Sequence, residues 1–229
     1  IPAYAASLPV AEISLSELEP DYHFLGREAD TVAFLITLGT VNFGSGYFPH
    51  LRKRPGKSGY FSIAGALNDY YVQHGPLSAD ALATITVEDC VGIFAQNPDN
   101  ETIRELLQHF TTALNDLGGY LTQNFGGSFT ALVDAAEASA DKLIRFLIQM
   151  PYFKDVHRYG RLEVPFYKRA QLTAADLSLA FRERGFGRFE DLNRLTIFAD
   201  NLVPHVLRMD RVLTYHDHLA QRVGAAELI

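Results

Sequence analysis

A chain of 229 residues and 25.5 kDa suits one large domain or two small ones and can bury a substantial core. With 48% apolar and 21% charged residues it is neither disordered nor fibrous, and a formal charge of −7 argues against a long polyanion such as duplex DNA as the main partner. A single cysteine, Cys90, excludes a disulfide framework and a cysteine metal cage, and no apolar run reaches the roughly 20 residues that span a bilayer.

The predicted elements are mostly helical. Ile1 to Val10 lacks the basic start of a secretory signal, and the chain opens without methionine, so a few residues are expected to be missing ahead of it. Ser14-Leu15-Ser16-Glu17 has the form of a capping box. An apolar run from Asp30 to Asn42 (Val32, Phe34, Leu35, Leu38, Val41) predicts a buried helix stopped by Gly44 and Gly46. A glycine- and base-rich loop follows to Gly56. Ser58-Gly59-Tyr60 then opens a helix to about His74 with Gly75 as its cap. Ser78 caps a short helix, and Thr86 with Asp89 starts another.

The clearest stripe is Ile103, Leu106, Leu107, Phe110, Leu114, Leu117, Leu121, one face of a long amphipathic helix. Gly126-Gly127 breaks it and Ser128 recaps the chain. Ala140 to Met150 is helical up to Pro151. Tyr152 to Tyr167 is irregular, with a short extended piece at Arg161–Pro165. Helices are expected again over Lys168–Arg184, Asn193–Val203 (ended or kinked by Pro204) and Tyr215–Val223. Without repeats or linkers, the expectation is a mainly α, single-domain helical fold over residues 1–229.

Several residues could carry chemistry. Asp200 is a lone carboxylate in the apolar segment Thr196–Pro204, where burial would perturb its pKa; a helix-surface aspartate is the competing reading. In Phe166-Tyr167-Lys168-Arg169-Ala170-Gln171 two cations follow two aromatics at a helix start. Adjacent helical residues point about 100° apart, so one site takes at most one of Lys168 and Arg169. The loop Arg52–Lys57 packs four cations ahead of a helix N-terminus, either a phosphate site or a solvated turn. Phe43, Tyr47, Phe48, Tyr60 and Phe61 could stack a nucleobase or fill the core. Tyr215-His216-Asp217-His218 lacks further ligands at metal spacing, and Asp134, Glu137 and Asp141 read as a solvated acidic face. Cys90 has no neighbouring base and no nucleophile elbow is present, so a nucleophilic hydrolase is poorly supported.

Taken in order, Val41-Asn42-Phe43, Ser58-Gly59-Tyr60, Phe125-Gly126-Gly127-Ser128-Phe129, Phe166–Gln171 and Phe198-Ala199-Asp200 with Val203-Pro204 resemble the queuosine salvage proteins, from about residue 24 to the C-terminus. The chain differs from many members in having Gly44-Ser45-Gly46-Tyr47-Phe48 after Phe43, Asn201-Leu202 before Val203, and His205 where glutamine is common. The resemblance implies a helical fold similar to helix–hairpin–helix DNA glycosylases, acting on a free nucleotide. It implies hydrolysis of queuosine 5′-monophosphate to queuine and ribose 5-phosphate, with neither a metal nor an organic cofactor.

On that basis Asp200 would stabilise the oxocarbenium-like ribose, attack it or activate water, and Lys168 would hold Asp200 ionised or bind substrate. Asn42 would read the base edge and Phe43, Tyr60 or Phe198 would stack on it, with Asn201 among the substrate contacts. His50, Arg52, Arg169 and His205 are candidates for the 5′-phosphate. The expected partner is a small-molecule substrate, with no nucleic acid or membrane, and the protein is expected to be a cytoplasmic monomer. A glycosylase acting on a flipped base would instead want a basic face, and a non-catalytic helical module would leave Asp200 exposed and replaceable.

Overall fold

The computed structural model describes residues 2–8, 18–200, 202–225 and 227. Its chain forms two compact units, residues 17–196 and a smaller one made of residues 1–16 with 197–229. The proposed capping box at Ser14–Glu17 and the candidate Asn201 lie outside the described residues.

In chain order the helices are α1 (Pro2–Ser7), α2 (Ala29–Val41), α3 (Gly59–His74), α4 (Ala79–Ala83), α5 (Val87–Ile93), α6 (Glu101–Phe125), α7 (Phe129–Ala135) and α8 (Ala140–Leu147). A hairpin of β1 (Val156–Tyr159) and β2 (Leu162–Pro165) follows, then α9 (Lys168–Ala180), α10 (Leu202–Met209) and α11 (Asp217–Gly224). The molecule is mainly α, as the periodicities predict.

The larger unit is organised around α2, whose residues from Thr31 to Val41 are all buried. Such a helix is enclosed by others on every side. Against it pack α6, with the predicted stripe from Ile103 to Leu121 buried, and α9. The α2–α9 approach depends on Gly39, where a Cβ would collide with Thr173 Oγ1.

The predicted starts are found at Ser58, Ser78 and Ser128, each accepting a backbone N–H, and at Thr86 with Asp89, a complete capping box. Asn100 caps α6 and Ser139 caps α8 in the same way. The 152–167 stretch becomes an antiparallel hairpin with Tyr159 opposite Leu162, so the short extended piece has a partner strand that the sequence reading left out.

Three boundaries differ from expectation. Helix α9 stops at Ala180 because Arg182 and Glu183 take left-handed φ of 52° and 59°. Helix α8 stops at Leu147, and Pro151 opens a separate 3-10 turn. The expected helix over Asn193–Val203 is absent from Asn193 to Asp200, and only its last two residues are α-helical, as the start of α10. Leu192–Arg194 is a single 3-10 turn, and the Gln171 side chain takes the Thr196 N–H at 2.8 Å. Helical continuation loses that donor. Pro204 does not end a helix but sits in the first turn of α10, where its missing N–H has no intrahelical acceptor to lose.

In the smaller unit α1, α10 and α11 contribute no buried residues among those described. Tyr4 donates its hydroxyl to the Asp210 carboxylate, and Arg208 lies over the Tyr215 ring at 5.1 Å. Among the described residues no helix is long and apolar enough to cross a membrane.

Candidate active site

Phe43 leaves the C-terminus of α2, beyond Asn42, whose N–H bonds back to Gly39 O. Its ring stands edge-on to Phe110 at 5.1 Å and stacks on Tyr152 at 5.2 Å. The Tyr152 hydroxyl is 2.9 Å from His109 Nδ1. Over the Phe43 ring, at 4.9 Å, lies the guanidinium of Arg169.

The entry to α9 sets that position. Asp155 O accepts the N–H groups of Phe166 and Tyr167, Tyr167 turns the chain with φ 49°, and Gln171 Nε2 donates to Phe166 O at 2.9 Å. Lys168 is then the first helical residue and Arg169 the second. The guanidinium makes no hydrogen bond or ion pair among the described residues, and its buried Nε has no acceptor. Burial holds its pKa below the ordinary guanidinium range, opposed by the charge of Asp155. It nevertheless stays a cation. A cation on an aromatic platform with donors unspent is a site for an anion, a phosphate above all.

A second cluster lies in the same unit. Asp176 is two helical turns beyond Arg169, on the same stripe of α9 as Thr173. Its side chain is partly exposed. Burial pushes its carboxyl up to about 7. Its charge acts on the hydroxyl of Tyr60, in the first turn of α3, which burial also makes a weaker acid. Tyr60 in turn bonds His23 Nε2 at 3.0 Å. Sequence reading named Tyr60 but missed Asp176 and His23. The available signal was an aspartate in Ala174-Ala175-Asp176-Leu177, seven residues from Arg169.

The structure thus brings Phe43 and Arg169 together, and the charge of Asp176 raises the pKa of the Tyr60 hydroxyl. His50 is exposed at the end of a 3-10 turn, Ser45–His50. The basic loop is largely spent on packing. Arg54 pairs with Asp69 at 2.5 Å and Lys57 covers the Tyr22 ring at 4.8 Å. Arg52 and Lys53 line a different concavity of about 460 Å³ with Gln73 and His74, which none of Phe43, Tyr60, Lys168 or Arg169 lines. Cys90 is buried and its thiol is pushed up to about 11 by burial, which suits a structural role. Among the described residues no group of His, Cys, Asp or Glu side chains could hold a metal ion.

In the smaller unit Asp200 is half-exposed and opens α10. Its Oδ1 accepts the Leu202 N–H at 2.9 Å and its own N–H reaches Phe198 O at 2.7 Å. Phe198 is half-buried, and His205 is exposed on α10.

Comparison with known proteins is consistent across both units. A relative from Sphaerobacter thermophilus, named queuosine 5′-phosphate N-glycosylase/hydrolase, is 37% identical over 206 residues, 86% of this chain and 62% of the relative. Relatives of the same name from Bos taurus and Nematostella vectensis are 32% identical over 174 residues and 31% over 207, covering 75% and 87% of this chain and 50% and 59% of theirs. The chain spans about half to three-fifths of the length of these curated relatives. The family model described as queuosine salvage protein matches residues 22–229. With that match running through α2, α9 and the Asp200 segment alike, the chain belongs to the queuosine salvage protein family.

Proposed function

We propose that this protein hydrolyses the ribosyl–base bond of queuosine 5′-monophosphate, releasing queuine and ribose 5-phosphate for reuse of queuine in tRNA modification. The observation that carries the reading is the run of relatives bearing that activity in their names, which align with this chain over most of its length. The family match over residues 22–229 supports treating residues 1–229 as one catalytic domain.

Breaking the N-glycoside leaves positive charge on the ribose and the bonding pair on the base nitrogen; water then adds OH to the anomeric carbon, and its other proton ends on the released base. Asp200 is the carboxylate that stabilises this charge or deprotonates the water. Lys168 opens α9 beside Arg169 and serves as the cation that orients substrate or keeps a carboxylate ionised. Because queuine has carbon in place of N7, protonation at that position is not available, and ribose-side stabilisation carries more of the barrier.

Of the phosphate candidates, Arg169 has the best support, since its half-buried guanidinium has donors to spare. Phe43 carries it at the end of α2, directly after Asn42 in the chain, and the Tyr60 hydroxyl is influenced by the charge of Asp176. Phe198, Asn201, His50 and His205 remain further candidates for substrate contacts. The reading entails a small-molecule substrate, no nucleic acid, no metal or organic cofactor, a monomer and a cytoplasmic site of action.

The test is incubation with queuosine 5′-monophosphate, its nucleoside and the ordinary nucleotides, with mass detection of released base. Release of queuine from the nucleotide is the expected result. Release only from ordinary nucleotides, or from none of them, would refute the assignment.

A further inference from the structure

Phe43 lies beyond the last helical residue of α2, so its ring is held by its neighbours and not by the helix. Phe110 meets the ring edge-on at 5.1 Å, and Tyr152 stacks on it at 5.2 Å with the two planes 25° apart. The guanidinium of Arg169 lies over the same ring at 4.9 Å, and its buried Nε has no hydrogen-bond acceptor. A cation–π contact attracts a guanidinium to a ring without hydrogen bonds to fix it. The position of the cation therefore follows the position of the ring.

Tyr152 is itself braced. It belongs to the 3-10 turn Pro151–Phe153, which the buried side chain of Phe153 anchors in the core. Its hydroxyl lies 2.9 Å from Nδ1 of His109. His109 and Phe110 are consecutive on α6, and consecutive helical side chains point about 100° apart. One helix thus grips the stack twice, through Phe110 at the Phe43 ring and through His109 at the tip of Tyr152. The segment that carries Tyr152 also launches α9. The Asp155 N–H bonds Phe153 O at 2.9 Å, and Asp155 O accepts the N–H groups of Phe166 and Tyr167 at 2.9 and 3.3 Å, just ahead of Arg169. The ring against Phe43 and the backbone that leads into Arg169 are therefore set by one short stretch, Pro151–Asp155.

We propose that Tyr152, braced by His109, is a positioning residue for phosphate binding: its ring fixes Phe43 and, through Phe43, the guanidinium of Arg169. This rests on the reading given above, in which Arg169 holds the 5′-phosphate. A long side chain ordered before the ligand arrives has less rotamer freedom left to lose on binding, which favours the nucleotide over the nucleoside.

The test is calorimetric binding of queuosine 5′-monophosphate, queuosine and ribose 5-phosphate to wild-type protein, Arg169→Ala, Tyr152→Leu and the double variant. The quantity read is the preference for nucleotide over nucleoside. Tyr152→Leu is expected to cut it about three- to tenfold, with nucleoside binding changed by about twofold or less. In the Arg169→Ala background the same change should move the preference by less than about twofold, because the cation it positions is gone. Tyr152→Phe keeps the ring and should restore most of the preference, and His109→Ala, which removes the same hydrogen bond, should match it. If Tyr152→Leu does not fold, His109→Ala in both backgrounds decides, with an expected loss of about two- to threefold that disappears without Arg169. Equal losses with and without Arg169, or equal losses on nucleotide and nucleoside, overturn the proposal. An unchanged preference in Arg169→Ala overturns the phosphate assignment and the proposal together. Ribose 5-phosphate separates both from the choice of substrate. Wild-type protein that rejects queuosine 5′-monophosphate but binds ribose 5-phosphate, more weakly after Tyr152→Leu only while Arg169 is present, refutes the substrate reading and leaves the positioning role standing.

Discussion

The guanidinium of Arg169 rests 4.9 Å above the ring of Phe43, and its buried Nε has no acceptor among the described residues. Residues 126 positions apart in sequence thus form a platform with cationic donors left over. The half-buried charge is held by an aromatic face, which gives attraction without consuming N–H groups.

Removing that cation should weaken nucleotide binding selectively. Arg169→Ala is expected to raise the KM for queuosine 5′-monophosphate by a factor corresponding to about 1.5–3 kcal/mol, the worth of hydrogen bonds to a charged group. Binding of the nucleoside, which has no phosphate, should change far less. Equal losses on nucleotide and nucleoside would show that Arg169 does not hold the phosphate.

Asp200→Asn separates the chemical role of this side chain from its structural one. Asparagine keeps the Oδ1 that accepts the Leu202 N–H, so α10 should retain its start and the circular dichroism should be unchanged. Turnover is expected to fall by at least ~100-fold with substrate binding little affected, as for loss of a group that stabilises developing charge. Wild-type turnover in the variant would remove Asp200 from the mechanism. Lys168→Ala should also lower turnover, with part of its effect in KM.

Gly39→Ala tests the helix crossing on which the larger unit is built. The added methyl meets Thr173 Oγ1, which is fixed by a hydrogen bond of 2.9 Å to Arg169 O. Alanine gains about 1 kcal/mol of helix propensity over glycine, but overpacking a buried contact costs about 1–3 kcal/mol. A lower melting temperature is the expected sign. Adding Thr173→Ala makes room for the methyl, and the double variant should lose less than the sum of the two single changes.

Stability should fall in acid through Asp191. Burial pushes its carboxyl up, but the Ser139 hydroxyl at 2.8 Å and the N–H groups of Ala140 and Asp141 outweigh burial and leave it below the usual carboxylate range. A carboxyl whose pKa is lower folded than unfolded contributes stability above the unfolded pKa of 3.8 and loses it as pH falls through the folded value. Asp191→Asn should therefore cost stability at pH 7 and progressively less as the pH is taken below about 4, as measured by urea unfolding at a series of pH values. A pH-independent difference would mean that the carboxylate charge is not what caps α8.

The sequence by itself determined most of the helical framework and named Lys168, Arg169, Phe43 and Asp200. Caps at Ser58, Ser78, Thr86 and Ser128 and the stripe from Ile103 to Leu121 depend on neighbours three or four residues away, and such physics is written locally. Tertiary structure decided the rest. The helix expected over Asn193–Val203 gives way because Gln171, 25 residues upstream, captures the Thr196 N–H. The hydrogen bond between His23 and Tyr60 joins the segment before α2 to the first turn of α3. No spacing rule connects those two residues. What makes Asp176 chemically distinct is loss of water around its carboxylate, a property of the packed surroundings that its own sequence neighbours do not carry.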